Sequence, residues 1–175
     1  NHIVRDLIGR GERVVPLSLP GDTSPALAGV VERTVEVDVR KPEMLDAVFA
    51  QCRTQAAPQD IRIIHTAGIV SIASKNSQLV EQVNVGGTRN VVDACKKHGI
   101  ERLVYVSSVH AIPEKPAGEV IAEVSSFDPD QVRGFYAKTK AKATQVVMDA
   151  VKQGLDAVVV HPSGIIGPGD YGRGH

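Results

Sequence analysis

"IRIIH", residues 61–65, places three isoleucines in five positions. A compact β-branched run of this length reads as a strand of a parallel sheet, where both faces are covered and polar alternation is not required. Its flanks read as helices. Upstream, Pro42 suits the first turn of a helix running through about Gln51. Downstream, a longer helix is predicted from Ser77, an N-cap candidate, to His98, with Gly99 as its stop. The same alternation continues outward. "RLVYVSS" (102–108) is a strand, the Pro-rich segment from Ile112 to about Asp130 is a loop, and the stretch around "FYAKTKAKAT" (135–144) is a helix ending near Gly154. "LDAVVV" (155–160) is another buried strand, closed by Pro162. Towards the N-terminus, "RTVEVDV" and "ERVVPLSL" (12–19) read as strands separated by the turn-forming "PGDTSPA". Ile3, Val4, Leu7 and Ile8 form a helical stripe before them, with Gly9 or Gly11 as the stop. Strands alternating with helices imply a parallel α/β sheet with right-handed crossovers, and no repeat or internal boundary divides residues 1–175.

Composition narrows the function classes. The 175 residues are 42% hydrophobic, enough to bury the core of one domain. Lys and Arg total 20 and Asp and Glu total 20, so no global field gathers nucleic acid or an anionic membrane. The longest apolar runs are strand-sized and the N-terminus lacks a secretory pattern, so the chain reads as soluble, with no membrane partner. Cys52 and Cys95 lie far apart in helix-like contexts, which fits reduced thiols in a cytoplasmic setting. Six scattered histidines lack ligand spacing, so no metal site is expected.

In sheets of this kind ligands sit beyond the carboxyl ends of the strands. Those ends carry "HTAG" (65–68), whose small residues allow close approach of a flat ligand, the pair Ser107 and Ser108, and Pro162 with Ser163. In the "YAKTK" helix, Tyr136 and Lys140 stand four positions apart and share a face. A phenol titrates near pH 10 and an adjacent ammonium favours its ionised form, an arrangement suited to proton exchange. By itself, the same pairing also arises by chance in a Lys-rich helix. "NVGGTRN" sets Gly86 and Gly87 mid-helix, at up to about 1 kcal/mol each relative to alanine, which implies close backbone packing beside Asn84.

The ordered set "VDVRKPE", "HTAG", "NVGGTRN", "YVSS", "YAKTK" and "HPSGIIGPGD" resembles the extended short-chain dehydrogenase/reductase superfamily, which contains NAD(P)-dependent epimerases, dehydratases and dihydroflavonol-reductase-like enzymes. The resemblance implies a Rossmann-like doubly wound parallel sheet, an NAD or NADP cofactor, and hydride transfer to or from a carbonyl or secondary alcohol. It assigns Tyr136 as general acid/base, Lys140 to the nicotinamide ribose and to depressing the phenol's pKa, and Ser108 to the reacting oxygen, with Ser107 as the neighbouring alternative. Asn84 matches the family's helix asparagine near the active site. Asp38, with Val39 beside it, matches the acidic residue that receives the adenine amino group; an Asx-turn before Pro42 is its purely structural alternative. Thr66, Ala67 and Gly68 would line the adenosine and phosphate side, and Pro162 and Ser163 the nicotinamide.

The family's opening strand and Gly-rich phosphate loop are not among these residues, and "GPGDYGRG" falls where a substrate-binding region would continue. By resemblance the sheet is therefore truncated at both ends and the dinucleotide-binding domain is partial. The position that selects between NAD and NADP falls on Ser18, which accommodates either, and Asp22 lies too far along. "SSVHAIPE" lacks the Tyr-Gly of nucleotide-sugar epimerases, which favours a reductase or dehydrogenase of ketones or alcohols, with His110 either facing the substrate or, as loop histidines more often are, merely exposed. A nucleotide-sugar epimerase or dehydratase is the nearest alternative, and a non-catalytic dinucleotide sensor the more distant one. The resemblance also implies a homodimer built on the long helix and the "YAKTK" helix.

Overall fold

The computed structural model describes residues 1–22, 25–70, 78–100 and 102–167. It divides into two compact units, Asn1–Asp38 with Ile165–His175, and Val39–Gly164.

The first unit contains α1 (His2–Gly9) and a minimal parallel pair, β1 (Leu17–Ser18) and β2 (Val35–Glu36), with Leu17 opposite Val35. The pairing is extended at each end by one bond, Val35 N–H to the Pro16 carbonyl and Val37 N–H to the Ser18 carbonyl. Both runs were expected to form longer strands. Pro16 has no N–H to donate and Pro20 follows two residues after β1, so the ladder is confined between them.

The second unit carries the larger sheet. Its strands are β3 (Arg62–His65), β4 (Arg102–Val106) and β5 (Asp156–Val160), all parallel in the order β3-β4-β5, with Ile63, Leu103 and Ala157 in register. Before β3 runs α2 (Pro42–Arg53), between β3 and β4 run α3 (Gln78–Glu81), a π-helical turn (Gln82–Gly87) and α4 (Thr88–His98), and between β4 and β5 runs α5 (Phe135–Lys152). Pro42 opens α2 with Glu43 in its first turn and Arg53 in its last, matching the helix dipole. Gly99 closes α4 at φ 65°, the left-handed geometry that favours glycine. Ser77, proposed as the N-cap of the long helix, lies outside the described residues.

Leu103 and Tyr105 are fully buried, and the Tyr105 hydroxyl lies within reach of Lys140 on α5, so this face of the sheet meets the helices. The opposite face is more open. Ile64, Val158 and Val160 are 36%, 42% and 40% exposed, so β3 and β5 are not covered on both sides as the apolar runs implied. A second apolar cluster, Ala111, Ile112, Phe127, Val132, Ala137 and Ala141, ties the segment after β4 to α5. That segment includes short 3-10 turns at Val109–Ala111 and Pro129–Gln131.

Candidate functional site

The ends of β3 and β4 meet Lys140 of α5, and the end of β5 is hydrogen-bonded to the segment that follows β4. At the end of β3, His65 is buried while Thr66, Ala67 and Gly68 are exposed. A Cβ on Gly68 would stand 3.3 Å from Asn84 Oδ1 and 3.7 Å from Lys140 Nζ, so glycine leaves a narrow space between two polar groups. Asn84, 1% exposed, uses its whole amide on structure. Its Oδ1 accepts from Ile69 N–H (2.8 Å), and its Nδ2 donates to the Ile69 carbonyl (3.0 Å) and to Thr139 Oγ1 (3.1 Å). Thr139 in turn donates to the Tyr136 carbonyl at 2.8 Å. One asparagine thus locks the loop after β3 to the turn of α5 that bears the phenol.

The adjacent serines separate cleanly. Thr144 Oγ1 donates to the Lys140 carbonyl at 2.7 Å, so Ser107, 2.6 Å from Thr144 Oγ1, is the donor of that second bond and is spent inside the fold. Ser108 Oγ accepts the His110 N–H at 3.2 Å, a bond that leaves its own proton uncommitted, and the hydroxyl lies near Tyr136. Burial pushes the half-buried Tyr136 phenol above its ordinary pKa, and the hydrogen bond with Ser108 pulls the other way. The net direction is upward, opposite to that implied by the Tyr-Lys spacing. The reason is where the ammonium goes: Lys140 Nζ donates to the Val106 carbonyl at 2.9 Å and to Tyr105 Oη at 3.4 Å, and sits 5.1 Å from the centroid of the Tyr105 ring. Both partners are neutral, and burial lowers Lys140 to about 8.

Other predicted residues are placed as follows. Pro162 accepts the Val109 N–H through its carbonyl at 3.1 Å, and Ser163 is exposed beside it. The Val39 carbonyl accepts from Asn90 Nδ2 at 2.9 Å. Asp38 ends the first unit, where it is buried, and Val39 begins the second. Ser18 is 2.6 Å from Thr34 Oγ1. The His110 ring stands edge-on to Tyr136, 6.2 Å between centroids.

Sequence reasoning missed the buried polar groups behind the site. His65 Nε2 lies 3.0 Å from Thr88 Oγ1, Thr88 donates to the Asn84 carbonyl at 2.7 Å, and the Tyr105 hydroxyl stands near Thr88. Burial drives the Tyr105 phenol upward, while burial and the Lys140 charge depress His65 to about 4, so both are neutral near pH 7. The signal available was spacing: Thr88 follows Asn84, and Thr144 follows Lys140, by one helical turn. Among the described residues there is no cluster able to hold a metal ion and no helix long and apolar enough to cross a membrane.

Over residues 1–172 the sequence matches the 3-beta hydroxysteroid dehydrogenase/isomerase family. The chain belongs to that family. It is 33% identical to mouse 3 beta-hydroxysteroid dehydrogenase type 7 over 189 aligned positions, covering 99% of this chain and 48% of that protein. It is 32% identical to sterol demethylase protein B of Methylococcus capsulatus, covering 97% of this chain and 49% of that one. The chain therefore spans about half the length of these curated relatives. Among solved structures, UDP-glucose 4-epimerase of Thermus thermophilus in complex with NAD superposes with a TM-score of 0.70 at 27% identity, over 91% of this chain and 50% of that one. The fold of this family member is Rossmann-like, an extended short-chain dehydrogenase/reductase fold.

Proposed function

We propose that the protein is an NAD(P)-dependent oxidoreductase that moves hydride between the nicotinamide and a carbonyl or secondary alcohol. The observation that supports this reading best is the grouping at the end of β4 of Ser108, the half-buried Tyr136 and, one turn further along α5, the buried Lys140 ammonium held by the Val106 carbonyl. When bound, the dinucleotide supplies or accepts the hydride. The residues fit such a group: exposed Thr66, Ala67 and Gly68 form a path without bulk, and Lys140 has a third proton beyond the two already donated. Lys140 would hold the nicotinamide ribose, with Pro162 and Ser163 on the nicotinamide side.

In the reducing direction Tyr136 Oη gives its proton to the substrate oxygen, and Ser108 Oγ–H donates a hydrogen bond to that oxygen as negative charge develops. In the oxidising direction the proton returns to Tyr136. A phenol whose pKa is raised by burial stays protonated at neutral pH, which suits the donor role. Family membership and the relatives' names make a 3β-hydroxysteroid the first substrate class to test.

The decisive experiment is Tyr136→Phe in the intact protein, assayed with a 3β-hydroxysteroid and NAD, a dihydroflavonol and NADPH, and UDP-glucose. The variant should lose about 100- to 10,000-fold in turnover while its cofactor dissociation constant stays within about threefold. Unchanged turnover would refute the mechanism. Epimerisation of UDP-glucose without net oxidation or reduction would move the protein to the epimerase class.

A further inference from the structure

We propose that His161 is a positioning residue for Ser108, holding the serine's backbone in place at the end of β4. The proposal rests on the reading of Ser108 given above. His161 follows the last residue of β5, and the parallel ladder fails at this point for a covalent reason: Pro162 has no N–H to return to β4. The two backbone bonds seen here run one way, from Ser107 N–H to the Val160 carbonyl (2.9 Å) and from Val109 N–H to the Pro162 carbonyl (3.1 Å). The Ser108 carbonyl, which accepts the Ala111 N–H at 3.0 Å, also faces a side chain, His161 Nδ1, at 2.9 Å. A carbonyl only accepts, so Nδ1 carries the proton and the neutral ring is the Nδ1–H tautomer.

The ring is held on its flat side as well. Phe127 stacks on it with centroids 5.2 Å apart and planes 14° from parallel. Phe127 is itself buried, and its N–H donates to Gln145 Oε1 at 2.8 Å on α5, the helix that bears Tyr136. His161 therefore joins the end of β5, the Ser108 backbone and, through Phe127, the Tyr136 helix. Removing its N–H leaves the Ser108 carbonyl with the Ala111 N–H alone and loosens its tie to the end of β5. Small misplacements of groups that act on a reacting atom cost up to about 100-fold in rate.

The test is a cycle of variants in the intact protein, with hydride transfer to the best substrate of the panel above as readout. His161→Leu should lower kcat by about 10- to 100-fold with KM and cofactor affinity little changed. His161→Asn, whose amide nitrogen can occupy the Nδ1 position, should recover activity to within about threefold of the parent. In a Ser108→Ala background, His161→Leu should cost less than about twofold, because its route of action is already gone. Multiplicative losses in the double variant, or an Asn variant as impaired as Leu, overturn the proposal. Nitrogen-15 spectra of the parent give an independent check that needs no substrate: the neutral His161 ring must show Nδ1 protonated, and an Nε2–H tautomer overturns it. A Ser108→Ala variant with full turnover refutes the role given to Ser108, whereas an impaired Ser108→Ala beside a fully active His161→Leu refutes only the role of His161.

Discussion

Gly86 and Gly87 are adjacent in one π-helical turn, yet replacing each by alanine should change stability in opposite directions. An alanine in a helix interior is favoured over glycine by about 0.5–1 kcal/mol, because glycine has more backbone freedom to lose on folding. At Gly86 a Cβ meets no atom within 4 Å, so Gly86→Ala should gain that amount undiminished. At Gly87 the same atom would lie 2.6 Å from Val39 Cγ2 and 3.2 Å from Val39 Cβ. Ordinary carbon contacts begin near 3.5 Å, so Val39 would have to retreat by roughly 1 Å. Forcing a methyl group into packed surroundings costs about 1–3 kcal/mol, which outweighs the helical gain and leaves Gly87→Ala about 1 kcal/mol less stable than the parent. The two variants should therefore differ by about 1–3 kcal/mol in urea unfolding at matched m-values, or by several degrees in Tm. Val39→Ala removes the obstructing methyl groups, so in combination with Gly87→Ala it should cost less than the sum of the two single changes. If Gly87→Ala proved as stable as Gly86→Ala, the close approach of Val39 to the helix would be wrong. The reading of both glycines as packing sites would then fail at Gly87 as it already does at Gly86.

Lys140 and His65 each give stability a distinct pH signature. Lys140 titrates near 8 in the fold against 10.5 unfolded, so between those values the unfolded chain binds more protons and stability rises with pH. Lys140→Met should abolish turnover yet raise stability below pH 8, by at most about 3 kcal/mol, with the difference from the parent vanishing above pH 10.5. A Lys140→Met curve parallel to the parent's across that window would refute the buried ammonium. His65 titrates near 4 in the fold against 6.5 unfolded, so stability should fall as pH drops through that interval, by at most about 3 kcal/mol. His65→Gln should flatten that slope, and an unchanged slope in urea unfolding would remove His65 as its source. Asn84→Ala breaks three hydrogen bonds, the one to Thr139 buried and the two to the Ile69 backbone partly buried, so a loss of about 2–4 kcal/mol is expected by the same measurement.

The elements set by local chemistry were legible in the sequence. Pro42 and Gly99 marked helix ends that the structure places where punctuation by proline and left-handed glycine requires. The β-branched runs at 61–65 and 155–160 became strands, although their open face was not foreseeable, since an apolar run states what can be buried and not what covers it. The π turn was also hidden, because "QVNVGG" fits a regular helix equally well. Spacing brought Tyr136 and Lys140 to one helix face, but it could not fix the direction of a four-carbon side chain, and the ammonium turned to Val106 and Tyr105. Likewise nothing in "SS" distinguishes its two hydroxyls. Thr144, 37 residues away from Ser107, decides that.

The site can be understood as the hydrogen-bonding capacity left after the fold has taken what it needs. Asn84 commits its amide to Ile69 and Thr139, Thr88 its proton to a helix carbonyl, Ser107 its proton to Thr144, and Lys140 two protons to β4. Those bonds are short, internal and mutually dependent, so they fix the backbone at the sheet's carboxyl edge. Among the described residues at this edge, what is left is the Ser108 hydroxyl proton near Tyr136 and one ammonium proton near Gly68. A set of groups serving only stability would have been satisfied within the chain, as the neighbouring Thr144 and Thr139 are. Uncommitted donors beside an exposed, side-chain-poor path along Thr66–Gly68 are what the proposed site for a flat, polar cofactor and a substrate oxygen requires.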